Sequence, residues 1–169
     1  MQLVELNRIT ARQVAELEGG EDDPWDAGDA TLLWRPKALH FALRDDQGRL
    51  IATAGTVEVE VEVSGKRFPV VGLGGVIVNT HHRGHGHARE VVTAAITHAQ
   101  RLGPEFMVLF CHSDRTGLYR KFGFAEVESS VTVEQADGRV EMTMVTMWLA
   151  LRAGARWPDG NVAVGGLPF

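Results

Sequence analysis

Hydrophobic and polar positions along the chain follow three distinct patterns. Valines alternate with glutamates over residues 57–63 (VEVEVEV), and this period of two predicts a long strand over 50–63 with one buried and one wet face. Residues 88–102 place apolar side chains at i, i+3, i+4 and i+7, which predicts an amphipathic helix. Residues 106–111 (FMVLFC) are unbroken apolar, which is typical of a central strand covered on both faces.

Shorter signals complete the order of elements. We predict a strand at 3–6, a helix at 11–17 between the cap Thr10 and Gly19-Gly20, strands at 38–43 and 68–78, a short helix near 116–121, a hairpin of 124–135 with 140–149, and an irregular tail over about 153–169. This order predicts an α+β fold, an α/β sandwich in which helices flank a mixed sheet. The length suits one domain spanning residues 1–169.

Composition narrows the partners. The formal net charge is -5, which argues against nucleic acid, since binding phosphates needs a basic face. No apolar run approaches ~20 residues, so no membrane partner is expected. The first residues show no signal-peptide pattern, and the single cysteine, Cys111, excludes an intrachain disulfide. A cytoplasmic location is the default expectation.

Residues 70–88 (VVGLGGVIVNTHHRGHGHA) carry the most informative pattern, a strand that runs through a glycine-rich turn into the best helix. Unpaired backbone N–H groups at a helix N-terminus favour phosphate groups. Glycines without a Cβ let a pyrophosphate approach the backbone, and an arginine adds a charge-assisted contact. The predicted cofactor-binding residues of this turn are Arg83, Gly84, His85, Gly86, His87 and Ala88.

Glycines inside the preceding strand give a second signal. We expect a bulge near Gly74-Gly75 that splays this strand from residues 106–111. The wedge would leave backbone groups of Val76, Ile77 and Val78 free to pair with an extended ligand that contains amides. The pantetheine arm of coenzyme A, with two amides and a pyrophosphate at one end, fits a split strand that leads to a phosphate cradle.

Two motifs in this context resemble the GNAT acyltransferase superfamily. Residues 83–88 match its Arg/Gln-x-x-Gly-x-Gly/Ala pattern at Arg83, Gly86 and Ala88, and residues 117–124 (GLYRKFGF) are similar to its Leu-Tyr-x-x-x-Gly-Phe. The resemblance implies a mixed sheet with a splayed, bulged strand, acetyl-CoA as cosubstrate, and acetyl transfer to a primary amine in a ternary complex. Where many members have an asparagine after the fifth strand, this chain has residues 112–114 (HSD). A looser similarity to aminoglycoside 2'-N-acetyltransferases covers the region before Tyr119 and the tail.

The resemblance also implies catalytic roles. Tyr119 would protonate the leaving thiolate of coenzyme A, and a phenol with a pKa near ~10 suits this role. A base must take a proton from the acceptor, and the candidates are Glu58, Glu60, Glu62 and His112. The central position of Glu58 and Glu60 in their strand favours these two.

The acidic positions also bear on the acceptor. The glutamate face, the net charge and the acidic residues 21–29 (EDDPWDAGD) predict a cationic acceptor amine, either a small molecule or a peptide. A homodimer stays open, because homodimers are common in the family and the predicted hairpin offers edges to pair.

Competing interpretations remain. The chain could be a non-catalytic CoA-binding sensor of the same fold, or could transfer a longer acyl chain. Cys111 could carry an acyl group, although a free cysteine in an apolar strand is usually core. Four histidines could hold a metal, but no cysteine or carboxylate joins them at ligand spacing, so a polar turn without metal is preferred: His81, His82, His85 and His87.

Overall fold

The computed structural model describes residues 1–21 and 32–169. Within them the chain forms, in order, β1 (Gln2–Leu6), α1 (Ala11–Glu18), β2 (Leu39–Arg44), β3 (Leu50–Val63), β4 (Lys66–Val78), α2 (His87–Leu102), β5 (Phe106–Cys111), α3 (Thr116–Arg120), β6 (Ala125–Glu126), β7 (Val131–Gln135), β8 (Gly138–Glu141), β9 (Val145–Ala150) and β10 (Val162–Val164). Short 3-10 turns precede α2 and α3, at Thr80–His82 and Ser113–Arg115.

One mixed sheet runs through the described part of the chain, in the order β6-β9-β5-β4-β3-β10-β7-β8, with β2 and then β1 beside β3. The length of β3 explains this branching, since its first half pairs with β2 and its last three residues pair with β10. The β4–β5 and β10–β7 pairs are parallel and the other pairs are antiparallel. The predicted α+β fold with a mixed sheet is confirmed.

Both long helices begin and end where the sequence places their caps. The Thr10 side chain accepts a hydrogen bond from the backbone N–H of Gln13, whose own side chain returns to the Thr10 backbone, and Gly19 ends α1 in the left-handed conformation. The apolar stripe of α2 is fully buried at Val91, Val92, Ala95 and Ala99. Burial of this stripe fixes α2 across the sheet.

All six residues of β5 are buried, as the apolar run predicts, because both faces of the sheet are covered. On one face, Met107 and Leu109 pack in the core that contains the α2 stripe. On the other face, Phe106 makes edge contacts with the rings of Trp148 and Trp157, at centroid distances of 5.8 Å and 5.2 Å. The chain after β9 therefore closes the second face of the sheet.

The predicted hairpin of residues 124–135 with 140–149 is wrong in extent. Only β7 and β8 form it, around the predicted turn. The chain then crosses to the other side of the sheet, where β9 pairs with β5 and with the two-residue strand β6. The hydrophobic residues of β9 complete the partner edge of β5, so a tertiary contact overrides the local pairing.

The tail is also not wholly irregular. Val162 and Val164 are buried, and β10 inserts between β3 and β7. Three residues are too short a run for their alternation to predict a strand from sequence.

Over residues 1–21 and 32–169, no helix has the length and apolar character needed to cross a bilayer. The expectation that residues 1–169 form one domain stays a prediction.

Candidate active site

β4 and β5 pair over a short stretch and then separate. The paired positions join Val71 to Met107, Gly72 to Val108 and Leu73 to Leu109. After Leu73 the backbone of β4 that faces β5 has no strand partner in the described residues. A wedge therefore opens between two neighbouring parallel strands, as the glycine pattern predicts.

A bulge in β4 produces the wedge. Across the β3–β4 pair, Thr53 lies opposite Ile77 while Gly55 lies opposite Gly74, so β4 contains one more residue than β3 between these positions. Gly75 supplies the backbone conformation, with φ of 59°. The predicted bulge is thus present at its predicted place.

The wedge is the middle of a cavity of about 800 Å³. Its floor includes three predicted cofactor-binding residues, Val76, Ile77 and Val78. One end is lined by five more of them: Arg83, Gly84, Gly86, His87 and Ala88. The other end is lined by residues that the sequence does not single out: Trp34, Lys37, His40, Phe110, Met144 and Phe169.

Gly84 and Gly86 shape the phosphate-side end. Both adopt positive φ angles, 82° and 84°, and no heavy atom lies within 4 Å of the position that a Cβ would take on either residue. Gly86 is the N-cap of α2 and no side chain caps this end of the helix. The N–H groups of the first turn, which begins at His87, are therefore open to a ligand.

Arg83 points along the same opening and already holds a carboxylate. Its guanidinium donates hydrogen bonds to both carboxylate oxygens of Glu21, one of them at 2.9 Å, and its Nε donates to the Val78 carbonyl at 3.1 Å. An oxyanion is thus already bound where the sequence predicts a phosphate contact. Of the predicted cradle, His85 does not line the cavity, and its ring stacks on His87 at 5.9 Å.

Tyr119 lies on the β5 side of the wedge, between the cofactor end and the opposite end. The side chain is buried, 8 % exposed, and its ring meets Phe124 edge-on at 6.0 Å. Burial, and then the nearby Cys111 thiol, raise the pKa of the phenol above its ordinary value. The hydroxyl therefore stays protonated and can act as an acid.

Cys111 also lines the cavity, but its environment disfavours the thiolate. Burial, and then the charges of Glu126 and Asp114, raise the pKa of its thiol to about 11. Its sulfur lies 3.9 Å from the sulfur of Met147. These contacts support a packing role over an acyl-carrying role.

The glutamate face of β3 lies elsewhere. Glu58 and Glu60 are exposed, and neither lines the cavity. Arg67 pairs with Glu60 at 3.7 Å and with Glu62 at 2.8 Å, as on a solvated sheet face. The structure does not bring Glu58 and Glu60 to Tyr119, and their catalytic role stays a prediction. His112, the fourth candidate base, lines the cavity.

Lys37 and His40 are residues that sequence reasoning missed. Lys37 is half-buried, and its Nζ donates to the Arg35 carbonyl at 3.1 Å. Burial, and then the charge of Arg35, lower the pKa of Lys37 to about 8. His40 has a lowered pKa, because of burial and then the Lys37 charge, and its Nδ1 is buried with no hydrogen-bond partner among the described residues. The only sequence signal is a pair of glycines, Gly55 and Gly74, on neighbouring strands.

Two other candidates contribute little here. Among the described residues no group of three or more histidine, cysteine or carboxylate side chains is placed to hold a metal ion, and this includes the four histidines of the turn. Apart from Glu21, the acidic residues 21–29 lie outside the described residues.

Comparison with known proteins defines the class. The acetyltransferase (GNAT) domain family matches residues 31–127, which is more than half of the chain. The chain therefore belongs to the GNAT acetyltransferase family, and the expected class of enzyme, an acetyl-CoA-dependent acyltransferase, is confirmed at that level.

Solved structures share the fold. A GNAT family N-acetyltransferase (YhbS) from Escherichia coli, in complex with CoA, superposes with a TM-score of 0.62 at 19% identity, over 99% of this chain and 96% of that one. A GNAT family acetyltransferase from Brucella melitensis, in complex with acetyl-CoA, gives 0.58 at 18% identity, over 96% and 95%. At these identities the likeness is one of fold.

A curated protein of Deinococcus radiodurans, described as an uncharacterized isomerase, is 38% identical over 81 residues. The match covers 43% of this chain and 26% of that protein, so this chain spans about a quarter of its length.

Proposed function

We propose that the protein transfers an acetyl group from acetyl-CoA to a primary amine by direct attack within a ternary complex. One observation carries the proposal: the wedge at the β4 bulge leads without interruption from a buried tyrosine to a glycine-rich helix N-terminus. A thioester, an amide-containing arm and a pyrophosphate occur in this order in acetyl-CoA. The bound CoA and acetyl-CoA in the two similar structures support this placement.

In this proposal the cofactor completes the split sheet. The pantetheine amides pair with the free backbone of Val76, Ile77 and Val78, as an added strand would. The pyrophosphate takes the open N–H groups between Gly84 and His87. Arg83 exchanges its carboxylate partner Glu21 for a phosphate oxygen, so cofactor binding replaces one charge-assisted contact with another.

The chemistry then needs three groups. The neutral amine attacks the thioester carbonyl, whose developing oxyanion is stabilised by a backbone N–H of Val76–Val78. Collapse of the tetrahedral intermediate breaks the C–S bond, and Tyr119 gives its proton to the leaving thiolate. The proton of the acceptor ammonium leaves through water or to His112, the candidate base that lines the cavity.

The decisive experiment is acetyl-CoA binding followed by thiol release. We expect calorimetry to show binding of acetyl-CoA, and a panel of amines with mass detection to show acetylated product. Absence of binding at millimolar acetyl-CoA would contradict the proposal. Binding without thiol release across the panel would favour the non-catalytic CoA sensor instead, and a preference for longer acyl-CoA donors would favour the longer-chain transferase.

The charge of the acceptor is a separate question. The cationic acceptor predicted from sequence rests on glutamates that lie outside the cavity and on residues 22–29, which the structure does not describe. The homodimer likewise stays a prediction.

A further inference from the structure

Lys37 occupies a slot that two glycines make in the sheet. Gly55 and Gly74 lie opposite each other on β3 and β4. A Cβ on Gly55 would stand 2.5 Å from Cγ of Lys37, and a Cβ on Gly74 would stand 2.6 Å from its Cε. The lysine stem therefore crosses both strands where any larger residue would displace it. This places the amine beside the bulge, at the end of the cavity opposite the glycine cradle.

The charge at this end has no compensating carboxylate. No ion pair of Lys37 is formed in the described part of the chain. Its contact is the neutral Arg35 carbonyl. Of the described residues that line the cavity, none is an aspartate or a glutamate. A half-buried cation in an acid-free cavity favours an anion supplied from outside the protein.

The cofactor cannot supply that anion in the proposed orientation. Gly74 and Val78 are four residues apart along β4, which corresponds to about 13 Å, and the cradle begins only after Val78. The phosphates of acetyl-CoA would lie at the cradle, and its thioester and pantetheine portions carry no charge. The anion that reaches Lys37 must therefore belong to the acceptor.

We propose that the acceptor is an amine that also carries a carboxylate, such as an amino acid or a peptide end, and that Lys37 binds this carboxylate. The proposal rests on the proposed function, since it assumes that acetyl-CoA occupies the wedge. It replaces the cationic acceptor that the sequence predicts. The amine of such an acceptor is directed toward the bulge, where the thioester carbonyl lies.

His40 gives the acceptor site a second polar contact. Its Nδ1 would lie 3.2 Å from a Cβ on Gly55, so the ring stands against the Lys37 stem. The same nitrogen is buried without a partner among the described residues, and the residue lines the cavity. A bound acceptor can satisfy this nitrogen, which otherwise carries the cost of an unmade hydrogen bond. The apolar wall around the pair includes Phe110 and Phe169.

The test compares acceptors that differ only in charge. The panel contains the common amino acids, their carboxamides, and spermidine as a cationic amine, each with saturating acetyl-CoA. We expect kcat/KM for the best amino acid to exceed that of its amide by about tenfold or more, the worth of a charge-assisted contact. Preference for the amide or for spermidine, with thiol release intact, would overturn the acceptor proposal and leave the acetyltransferase proposal standing.

Variants assign the preference to Lys37. Lys37→Met should remove the acid-over-amide preference, and Lys37→Arg should retain most of it because the charge remains. Lys66→Met, an exposed lysine in a turn, is the matched control and should behave as the parent protein. Affinity for acetyl-CoA should be unchanged in all three. An acid preference that survives in Lys37→Met would refute the role of this residue.

A binding measurement covers the case of an inactive panel. N-acetylglycine and N-acetylglycinamide are titrated into the protein loaded with CoA, and the acid should bind at least about tenfold more tightly, in a Lys37-dependent manner. Equal or absent binding of the two, together with no turnover of any amino acid, would overturn the acceptor proposal. Loss of acetyl-CoA binding itself would instead count against the proposed function.

Discussion

Burial gives one residue of the cavity a fixed protonation state. Tyr119 has a pKa raised by burial, so its hydroxyl keeps its proton over the whole range in which an amine acceptor is tested. Tyr119→Phe should lower kcat by about a hundredfold, the lower end for loss of a general acid, with little change in acetyl-CoA affinity. Steady-state kinetics with calorimetry measures both. An unchanged kcat would show that the thiolate leaves without this proton donor.

Lys37 predicts a pH dependence with a definite sign. Its pKa, lowered to about 8, keeps the ammonium charged below that pH and neutral above it. KM for an amino-acid acceptor should therefore rise as the pH passes through about 8, whereas KM for the matching amide should show no such rise. The neighbouring charged or titratable groups are Arg35 and His40.

The Lys37→Arg variant provides the control for this dependence. An arginine stays charged across this range, so the rise in KM should disappear. Cys111, with a pKa of about 11, titrates outside this range. A rise that persists in Lys37→Arg would assign the titration to another group.

Motif spacing could predict the cradle and the acid, since Arg83 and Tyr119 lie in sequence patterns with a local geometry. It could not predict Lys37. Nothing in residues 35–37 (RPK) distinguishes this lysine from a solvated loop residue, because its position depends on glycines in two later strands. The alternation around Glu58 and Glu60 correctly predicts a wet face, but a period of two does not show whether that face adjoins the cavity.

At the scale of elements, the start of α2 is the part most sensitive to one substitution. Gly86→Val forces a branched side chain into a positive φ and places it in the open cradle. We expect acetyl-CoA affinity to fall by more than about tenfold, the order of a lost charge-assisted phosphate contact. Calorimetry checks this.

The other end of the same helix offers a matched control. Gly103 also has a positive φ, 114°, and no atom lies within 4 Å of its Cβ position, but it does not line the cavity. Gly103→Val should strain the backbone in a similar way and leave acetyl-CoA affinity unchanged. Equal losses in both variants would attribute the effect to helix stability.

Element by element, prediction succeeded where the signal was local. The caps of α1 and the stripe of α2 lie within a few residues of each other in sequence, so their pattern and their structure coincide. The β7–β8 turn was predictable for the same reason. The strands β9 and β10 pair with partners far away in the chain, and neither partner can be read from the local pattern.

At the scale of the whole molecule, β10 joins the hairpin to the rest of the sheet. Val164 is completely buried and pairs with Val61, while β7 lies on the other side of β10. Val164→Ala should lower the free energy of unfolding by about 2 kcal/mol, from lost burial and the cavity that remains. Denaturant unfolding measures this, with Val140→Ala, 37% exposed in β8, as a control that should change little. Equal effects would contradict the central position of β10.

The position of β10 also constrains the order in which the protein folds. β1, β2, β3 and β4 are joined through nearby residues, and their antiparallel pairs can form as soon as residues 1–78 exist. The pairing of Val162 with Val63 closes a loop of roughly a hundred residues, an entropic cost that must be met before this contact stabilises anything. During synthesis, the hairpin therefore waits with an unpaired edge until residues 162–164 leave the ribosome, and this interval is when the nascent chain is most exposed to aggregation.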